Sequence, residues 1–170
     1  MRIDEKRLKA FATEIFVRLK APEDKARETA VHLVEANLKG HDSHGVGMIP
    51  SYVSSAQRGR LVVDADAKVK VDKGAVLLVD GQLGFGQVVG RQASDLGIKR
   101  ATEMGIACVG SRNNHHLGRI GTYAEHCAQA GMVSVHFVNV VGHPPFVSPW
   151  GGRENQTKIK PFAEKLDEYL

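Results

Sequence analysis

Cysteine is scarce in this sequence, with only Cys108 and Cys127 among 170 residues. No Cys-x-x-Cys pair and no Cys/His spacing of a zinc site occurs, so neither a paired-cysteine framework nor a zinc centre is predicted. Cys108 lies in an apolar strand-like run and Cys127 in a helical pattern. Because free cysteines are commonly buried, both are predicted to be buried thiols.

Long apolar runs are also missing. No stretch approaches the roughly 18 apolar residues that a membrane span needs, and the N-terminus, MRIDEKRLKAF, has no apolar signal core. We therefore expect a cytoplasmic protein without a membrane partner.

A strong charge of one sign is absent as well. The 23 basic and 19 acidic residues leave a net charge of +4, and the basic residues are scattered along the chain. A nucleic-acid-binding protein usually carries a clustered basic face, so no nucleic-acid partner is predicted. The mild positive charge is compatible with an anionic metabolite or a phosphate-bearing cofactor.

The N-terminal part carries three helical patterns. Apolar residues recur at helical spacing after Asp4, which is a suitable N-cap. Pro22 begins a second helix that Gly40 ends, and a third is predicted over 49–58. His32 falls in the middle of the second helix and is expected at the edge of its packed face.

Strand patterns begin at residue 67. The first predicted elements are a hairpin over 67–80, a helix from Gly86 that stops at Gly105, and a short buried strand over 106–110. A loop, a helix and a second buried strand follow within 112–139. The last elements are a Gly- and Pro-rich irregular segment and a short helix after Pro161. The fold class is therefore α/β (α+β), a helical region followed by the start of a mixed sheet.

The loop at 112–121 holds the best candidate for chemistry. His116 can exchange the proton of a hydroxyl–carbonyl pair near neutral pH, whereas His115 is expected to point the other way. Gly118 and Gly121 open a helix whose N–H groups suit an anion. Arg119 either meets a phosphate or is a surface arginine. The chain has no strand–GxGxxG–helix fingerprint, so a Rossmann dinucleotide site is not predicted.

A second polar cluster lies between two helices, at residues 41–45. Ser43 and His44 suggest hydrolysis only if they oppose each other in space, and no GxSxG elbow is present. His41 and His44 with His115 or His116 offer three nitrogen ligands, which is a weak metal signal, and no metal site is predicted. Asp42 fits a cap or a turn former.

Four segments together resemble the type-2 malate/L-lactate dehydrogenase family: GHDSHGVGMIPSYV at 40–53, DGQLGFGQ at 80–87, SRNNHHLGRIGTYAEHCAQAG at 111–131, and the VSVHFVNV to PWGGRE run at 133–154. The likeness is greatest to the hydroxycarboxylate dehydrogenase, or hydroxyphenylpyruvate reductase, branch. It implies an NAD(P)-dependent oxidoreductase with a non-Rossmann nucleotide fold, acting as a homodimer on 2-hydroxy and 2-keto acids.

The resemblance also implies roles for particular residues. His116 matches the catalytic acid/base of the family. His44 matches a second active-site histidine, a proton donor in some members and a nicotinamide contact in others. Ser43 lies on the substrate side. The cofactor-binding segment matches Gly118, Arg119 and Ile120.

The resemblance divides the chain into three parts. Residues 1–66 form a helical region with the HDSHG loop, 67–154 a partial α/β dehydrogenase domain, and 155–170 a tail that does not match. We therefore expect a truncated member that binds the nicotinamide cofactor weakly when alone. The alternatives are a catalytically inactive remnant that serves as an interaction or dimerisation module, and a metal-dependent hydrolase.

Overall fold

A computed structural model of the chain describes residues 3–139. The chain divides into two compact units, 1–135 and 136–170, and the account that follows concerns the first. Its elements are α1 (Glu5–Arg18), α2 (Glu23–Leu38), α3 (Ile49–Gln57), β1 (Lys68–Lys73), β2 (Val76–Asp80), α4 (Gly86–Met104), β3 (Cys108–Arg112) and α5 (Gly121–Gln129). Within 3–139, no helix is long and apolar enough to cross a membrane. The predicted irregular segment and C-terminal helix lie outside the described residues.

The predicted helical hairpin is confirmed in α1 and α2. The Asp4 carboxylate accepts a hydrogen bond from the Arg7 N–H at 3.0 Å and so caps α1. Phe16 is fully buried and meets Phe85 edge to face, with ring centroids 5.3 Å apart. Tyr52, from α3, lies in the same apolar cluster. This cluster anchors the helices that carry the polar side chains described below.

The sheet has three strands in the order β1-β2-β3, within the described residues. β1 and β2 form the predicted antiparallel hairpin, and β2 pairs in parallel with β3 after the crossover through α4. The central strand β2 is the buried one, with Val79 fully covered. The mixed helix-and-sheet class predicted from the sequence is confirmed.

The third strand differs from its prediction. It begins at Cys108 rather than at residue 106, and it lies at the edge of the sheet, where its side chains are mostly exposed. The prediction that Cys108 is buried is therefore wrong, whereas Cys127 on α5 is buried as predicted. The apolar run before β3 suggested burial, but Ile106 in that run is 69% exposed.

The second buried strand predicted within 112–139 is also not observed. The residues after Gly131 form no strand in the described part of the chain, and Val133 is 98% exposed. Strand geometry needs a neighbour that satisfies its backbone N–H and C=O groups, and none of the strands within 3–139 pairs with this segment. Apolar alternation alone therefore misled the prediction.

Candidate active site

Two histidines that are distant in the sequence lie face to face. His44 sits in a short 3-10 turn, Asp42–His44, that follows α2, and His116 lies in the loop after β3. Their ring centroids are 5.2 Å apart and their planes differ by 28°, a stacked arrangement. The sequence singled out both residues, and the structure brings them together.

The His116 loop is held against the turn that precedes α4. The His115 N–H donates to the Gly84 carbonyl at 3.1 Å, and the Asn113 carbonyl accepts from the Leu83 N–H at 2.7 Å. A methyl group at Gly86 would overlap the backbone carbonyl of His116, so only glycine allows this approach. The DGQLGFGQ segment therefore positions the histidine loop through its backbone.

Tyr52 connects His116 to the buried core. Its hydroxyl lies 2.8 Å from His116 Nδ1, and the Gln87 Nε2 group donates to the same hydroxyl at 2.6 Å. Both Tyr52 and Gln87 are fully buried. Sequence reasoning singled out neither residue. A glutamine on the buried face of an otherwise apolar helix start was the signal that could have found Gln87.

The neighbouring histidine packs on the same tyrosine. The His115 ring meets Tyr52 edge to face, with centroids 4.8 Å apart. Burial lowers the pKa of His115, and its Nδ1 finds no partner among residues 3–139. The ring therefore stays neutral at physiological pH and acts as packing around Tyr52.

Burial also sets the charge state of His116. Removal from water, followed by the nearby His44 and His115, lowers the pKa of His116 to about 4. The ring is therefore neutral at pH 7. A neutral imidazole offers one N–H donor and one nitrogen acceptor, so it can donate a hydrogen bond to a keto oxygen or accept one from a hydroxyl group.

His44 is held by its own loop. The Ser43 hydroxyl and His44 Nδ1 share a hydrogen bond of 2.9 Å. The side chain of Asn37 bridges the loop, donating to the Asp42 carboxylate at 2.5 Å and accepting from the Val46 N–H at 2.8 Å. Asn37, which sequence reasoning passed over, therefore fixes the turn that presents His44.

The Asn37 side chain passes directly over Gly45. A methyl group at Gly45 would overlap the Asn37 amide, so the glycine is needed for the side chain to reach across the loop. Asn37, like His32, belongs to α2. The same helix thus holds both polar loops of the site.

His32 corrects the expectation of a residue at the edge of a packed face. It is 5% exposed, and its Nε2 accepts a hydrogen bond from the Arg119 N–H at 3.0 Å. Burial, helped by the charges of His116 and Arg119, lowers the pKa of His32 to about 4. The neutral ring therefore pins the Gly118–Ile120 segment to α2.

The Arg119 side chain turns to a neighbouring carboxylate. Its guanidinium binds Glu125 at 2.7 Å, and Lys39 pairs with the same carboxylate. These two cations lower the pKa of Glu125 to about 2. The expectation of a surface arginine is not met, since the Arg119 side chain is 16% exposed and paired with Glu125. The phosphate contact stays a prediction. The Arg119 N–H is bonded to His32, whereas its buried Nε has no partner within residues 3–139.

A cleft among the described residues lies beside this segment. It has a volume of about 430 Å³, and its walls include His32, Gln87 and Thr122. The stacked histidines line neither this cleft nor its neighbour. No group of three side chains that could hold a metal ion occurs within 3–139, so His41, His44 and His116 do not form the metal site considered above.

Comparison with known proteins gives consistent results. The sequence profile of the family described as malate/L-lactate dehydrogenase matches residues 3–164. Hydroxycarboxylate dehydrogenase B of Escherichia coli is 47% identical over 162 residues, which are 95% of this chain and 45% of the relative. L-lactate dehydrogenase of Cupriavidus necator is 35% identical, over 96% of this chain and 47% of the relative.

Solved structures of the same kind are similar. Malate dehydrogenase from Pyrococcus horikoshii superposes with a TM-score of 0.75 at 36% identity, covering 78% of this chain and 38% of that one. Sulfolactate dehydrogenase from Methanocaldococcus jannaschii gives 0.73 at 35% identity, with coverage of 76% and 38%. The chain thus spans about half the length of the curated relatives it matches.

Proposed function

The chain belongs to the malate/L-lactate dehydrogenase family, and on that premise we propose that it carries the proton-transfer centre of an oxidoreductase that interconverts 2-hydroxy acids and 2-keto acids. The observation that carries the proposal is the stacked pair His44 and His116, 5.2 Å apart. Two imidazoles in one site can donate a proton to a substrate oxygen or accept one from it.

We assign the acid/base role to His116. When a keto acid is reduced, its oxygen gains electron density and needs a proton, and the reverse reaction releases one. The nicotinamide cofactor, NAD or NADP, supplies or takes the hydride when it is bound. The low pKa of His116 keeps the ring neutral at pH 7, so it faces the substrate as an uncharged hydrogen-bonding group.

His44 is proposed to assist from the adjacent position. A positive charge on His44 would lower the pKa of His116, because like charges this close repel each other. Ser43 bonds the Nδ1 side of His44, which leaves the other ring nitrogen for a substrate or a nicotinamide. We assign Ser43 to the substrate side of the site.

The histidine pair fits the chemistry of a hydride cofactor, because hydride transfer leaves only a proton for the protein to move. His44, Gly118, Arg119 and Ile120 are the proposed cofactor contacts. The Arg119 N–H is bonded to His32 and one guanidinium NH₂ group to Glu125, whereas the buried Nε has no partner within residues 3–139. We therefore assign the segment mainly to shaping the cofactor surface.

The test is NADH and NADPH oxidation with phenylpyruvate, hydroxyphenylpyruvate and oxaloacetate as substrates. Loss of an acid/base group typically costs about 100-fold or more in rate, so His116→Ala should lose at least that factor. His41→Ala, at the neighbouring exposed histidine, is the matched control. Equal activity of both variants would contradict the assignment, and thermal unfolding checks that each is folded.

A second candidate is a non-catalytic interaction or dimerisation module. It is favoured by exposed apolar residues, such as Ile106 before β3 and Val133 after α5. Light scattering at two concentrations tests the proposed homodimer. Self-association without any cofactor oxidation would support this candidate over the oxidoreductase.

A further inference from the structure

Resting on the proposed function, we propose that Gln87 and Tyr52 are positioning residues that hold neutral His116 with its proton on Nε2. In this tautomer Nδ1 is the acceptor and Nε2–H is the donor. His116 would then present an N–H to a substrate keto oxygen, which binds and polarises the carbonyl for reduction.

The first step is the glutamine. Gln87 lies in the first turn of α4, is 1% exposed, and directs its Nε2 group at the Tyr52 hydroxyl at 2.6 Å. An amide NH₂ group donates and does not accept. Tyr52 therefore receives this hydrogen bond and must place its own proton elsewhere.

The second step is the tyrosine. A phenol has a single proton to donate. Two acceptors are within reach of the Tyr52 hydroxyl, His116 Nδ1 at 2.8 Å and the His116 carbonyl at 3.4 Å. Hydrogen bonds from hydroxyl groups are best below about 3.0 Å, so the proton goes to Nδ1. Burial raises the pKa of Tyr52, which keeps the hydroxyl protonated.

The third step follows from the charge state of the ring. His116 is neutral at pH 7, so it holds one ring proton. Because Nδ1 accepts from Tyr52, that proton must be on Nε2. The more distant carbonyl becomes the acceptor of the hydroxyl only when Nδ1 itself carries a proton.

The opposite amide orientation gives the opposite tautomer. Gln87 Oε1 has no partner within residues 3–139. If it faced Tyr52, it would accept a hydrogen bond from the hydroxyl, and His116 Nδ1–H would donate one to the hydroxyl oxygen. The two arrangements differ in one observable, the nitrogen of His116 that bears the proton.

That observable is measured by ¹⁵N NMR of the histidine rings in the whole chain at pH 7.5, with the His116 signals assigned by their loss in His116→Gln. We expect a protonated Nε2 and an unprotonated Nδ1. Gln87→Glu should move the His116 ring proton to Nδ1, because a carboxylate would accept the hydrogen bond that the Tyr52 hydroxyl donates. Gln57→Glu, on the exposed end of α3, is the matched charge control.

A proton on Nδ1 in the unmodified chain would overturn the proposal, as would an unchanged tautomer in Gln87→Glu. If Gln87→Glu fails to fold, Tyr52→Phe keeps the ring and removes the hydroxyl, and should leave a mixture of tautomers. The spectra do not depend on activity. The expected tautomer without any dehydrogenase activity would contradict the proposed function and leave this inference intact.

Discussion

Two regions of the molecule differ in how completely the rest of the chain covers them. Around His44 and His116, neighbouring elements are joined by side-chain hydrogen bonds. The α2 helix supplies Asn37 and His32, and α3 supplies Tyr52. Before β3 and after α5, apolar side chains are exposed, with Ile106 69% and Val133 98% exposed. The candidate site is therefore built by contacts within the chain, whereas the described residues do not cover these two segments.

The largest effect is expected where backbone meets backbone. Gly86→Ala places a methyl group on the His116 carbonyl, and neither backbone atom can move cheaply. We expect a loss of about 3 kcal/mol in the free energy of unfolding, at the upper end for overpacking, with displacement of the histidine loop. Chemical denaturation measures it.

Gly47→Ala is the matched control, since a methyl group there meets nothing within 4 Å. Its free energy of unfolding should stay within about 0.5 kcal/mol of the starting protein. Equal effects at the two glycines would show that the histidine loop is not packed on α4.

The next effect is expected at the loop bridge. Asn37→Ala removes two hydrogen bonds, to Asp42 and Val46, and leaves the Val46 N–H without its partner. A loss of about 2 kcal/mol is expected. Since Asn37 holds the His44 turn and not the His116 loop, NMR shifts should move at His44 more than at His116. The reverse pattern would contradict this assignment.

Acid should destabilise the buried region around His32 and His116. The pKa of His32, like that of His116, is lowered from 6.5 to about 4, so the folded chain binds fewer protons than the unfolded chain between these values. Stability is complete above pH 6.5 and is lost as the pH falls toward 4. His32 alone should lower the free energy of unfolding by roughly 2 kcal/mol at pH 5, relative to its value above pH 6.5. Denaturation from pH 7.5 to 4.5 measures the slope, which His32→Gln should reduce, and a flat profile would contradict the account.

The smallest effect is expected in the segment after α5. Val133→Ser changes a side chain that is 98% exposed, so the free energy of unfolding should change by less than about 0.5 kcal/mol. Val79→Ser, inside the fully buried central strand, is the contrasting variant and should cost several times more. A large loss at Val133 would show that the segment is covered in solution.

Local patterns predicted most of the framework. The Asp4 cap, the α1–α2 hairpin, the β1–β2 hairpin and the glycine stop of α4 at Gly105 each depend on a few adjacent residues. Burial depends on distant partners and was predicted less well. Cys108 and the strand after Gly131 look buried in the sequence, but the described strands do not cover them.

The candidate site shows the same division. His44 and His116 carry recognisable chemistry and were found from the sequence, and the structure stacks them. His32, Tyr52 and Gln87 act through contacts with residues far along the chain. A tyrosine among apolar residues reads as core, and its polar tip gains meaning only when the His116 loop is placed against it. The roles of the site residues and the boundaries at 66 and 154 stay predictions.

The central claim is that His44 and His116 share one site, and an NMR titration tests it most directly. The pKa of His116 should be about 4, and it should rise in His44→Gln because one positive neighbour is removed, while staying below 6.5 because burial persists. A His116 that titrates near 6.5 and does not respond to His44→Gln would contradict the account.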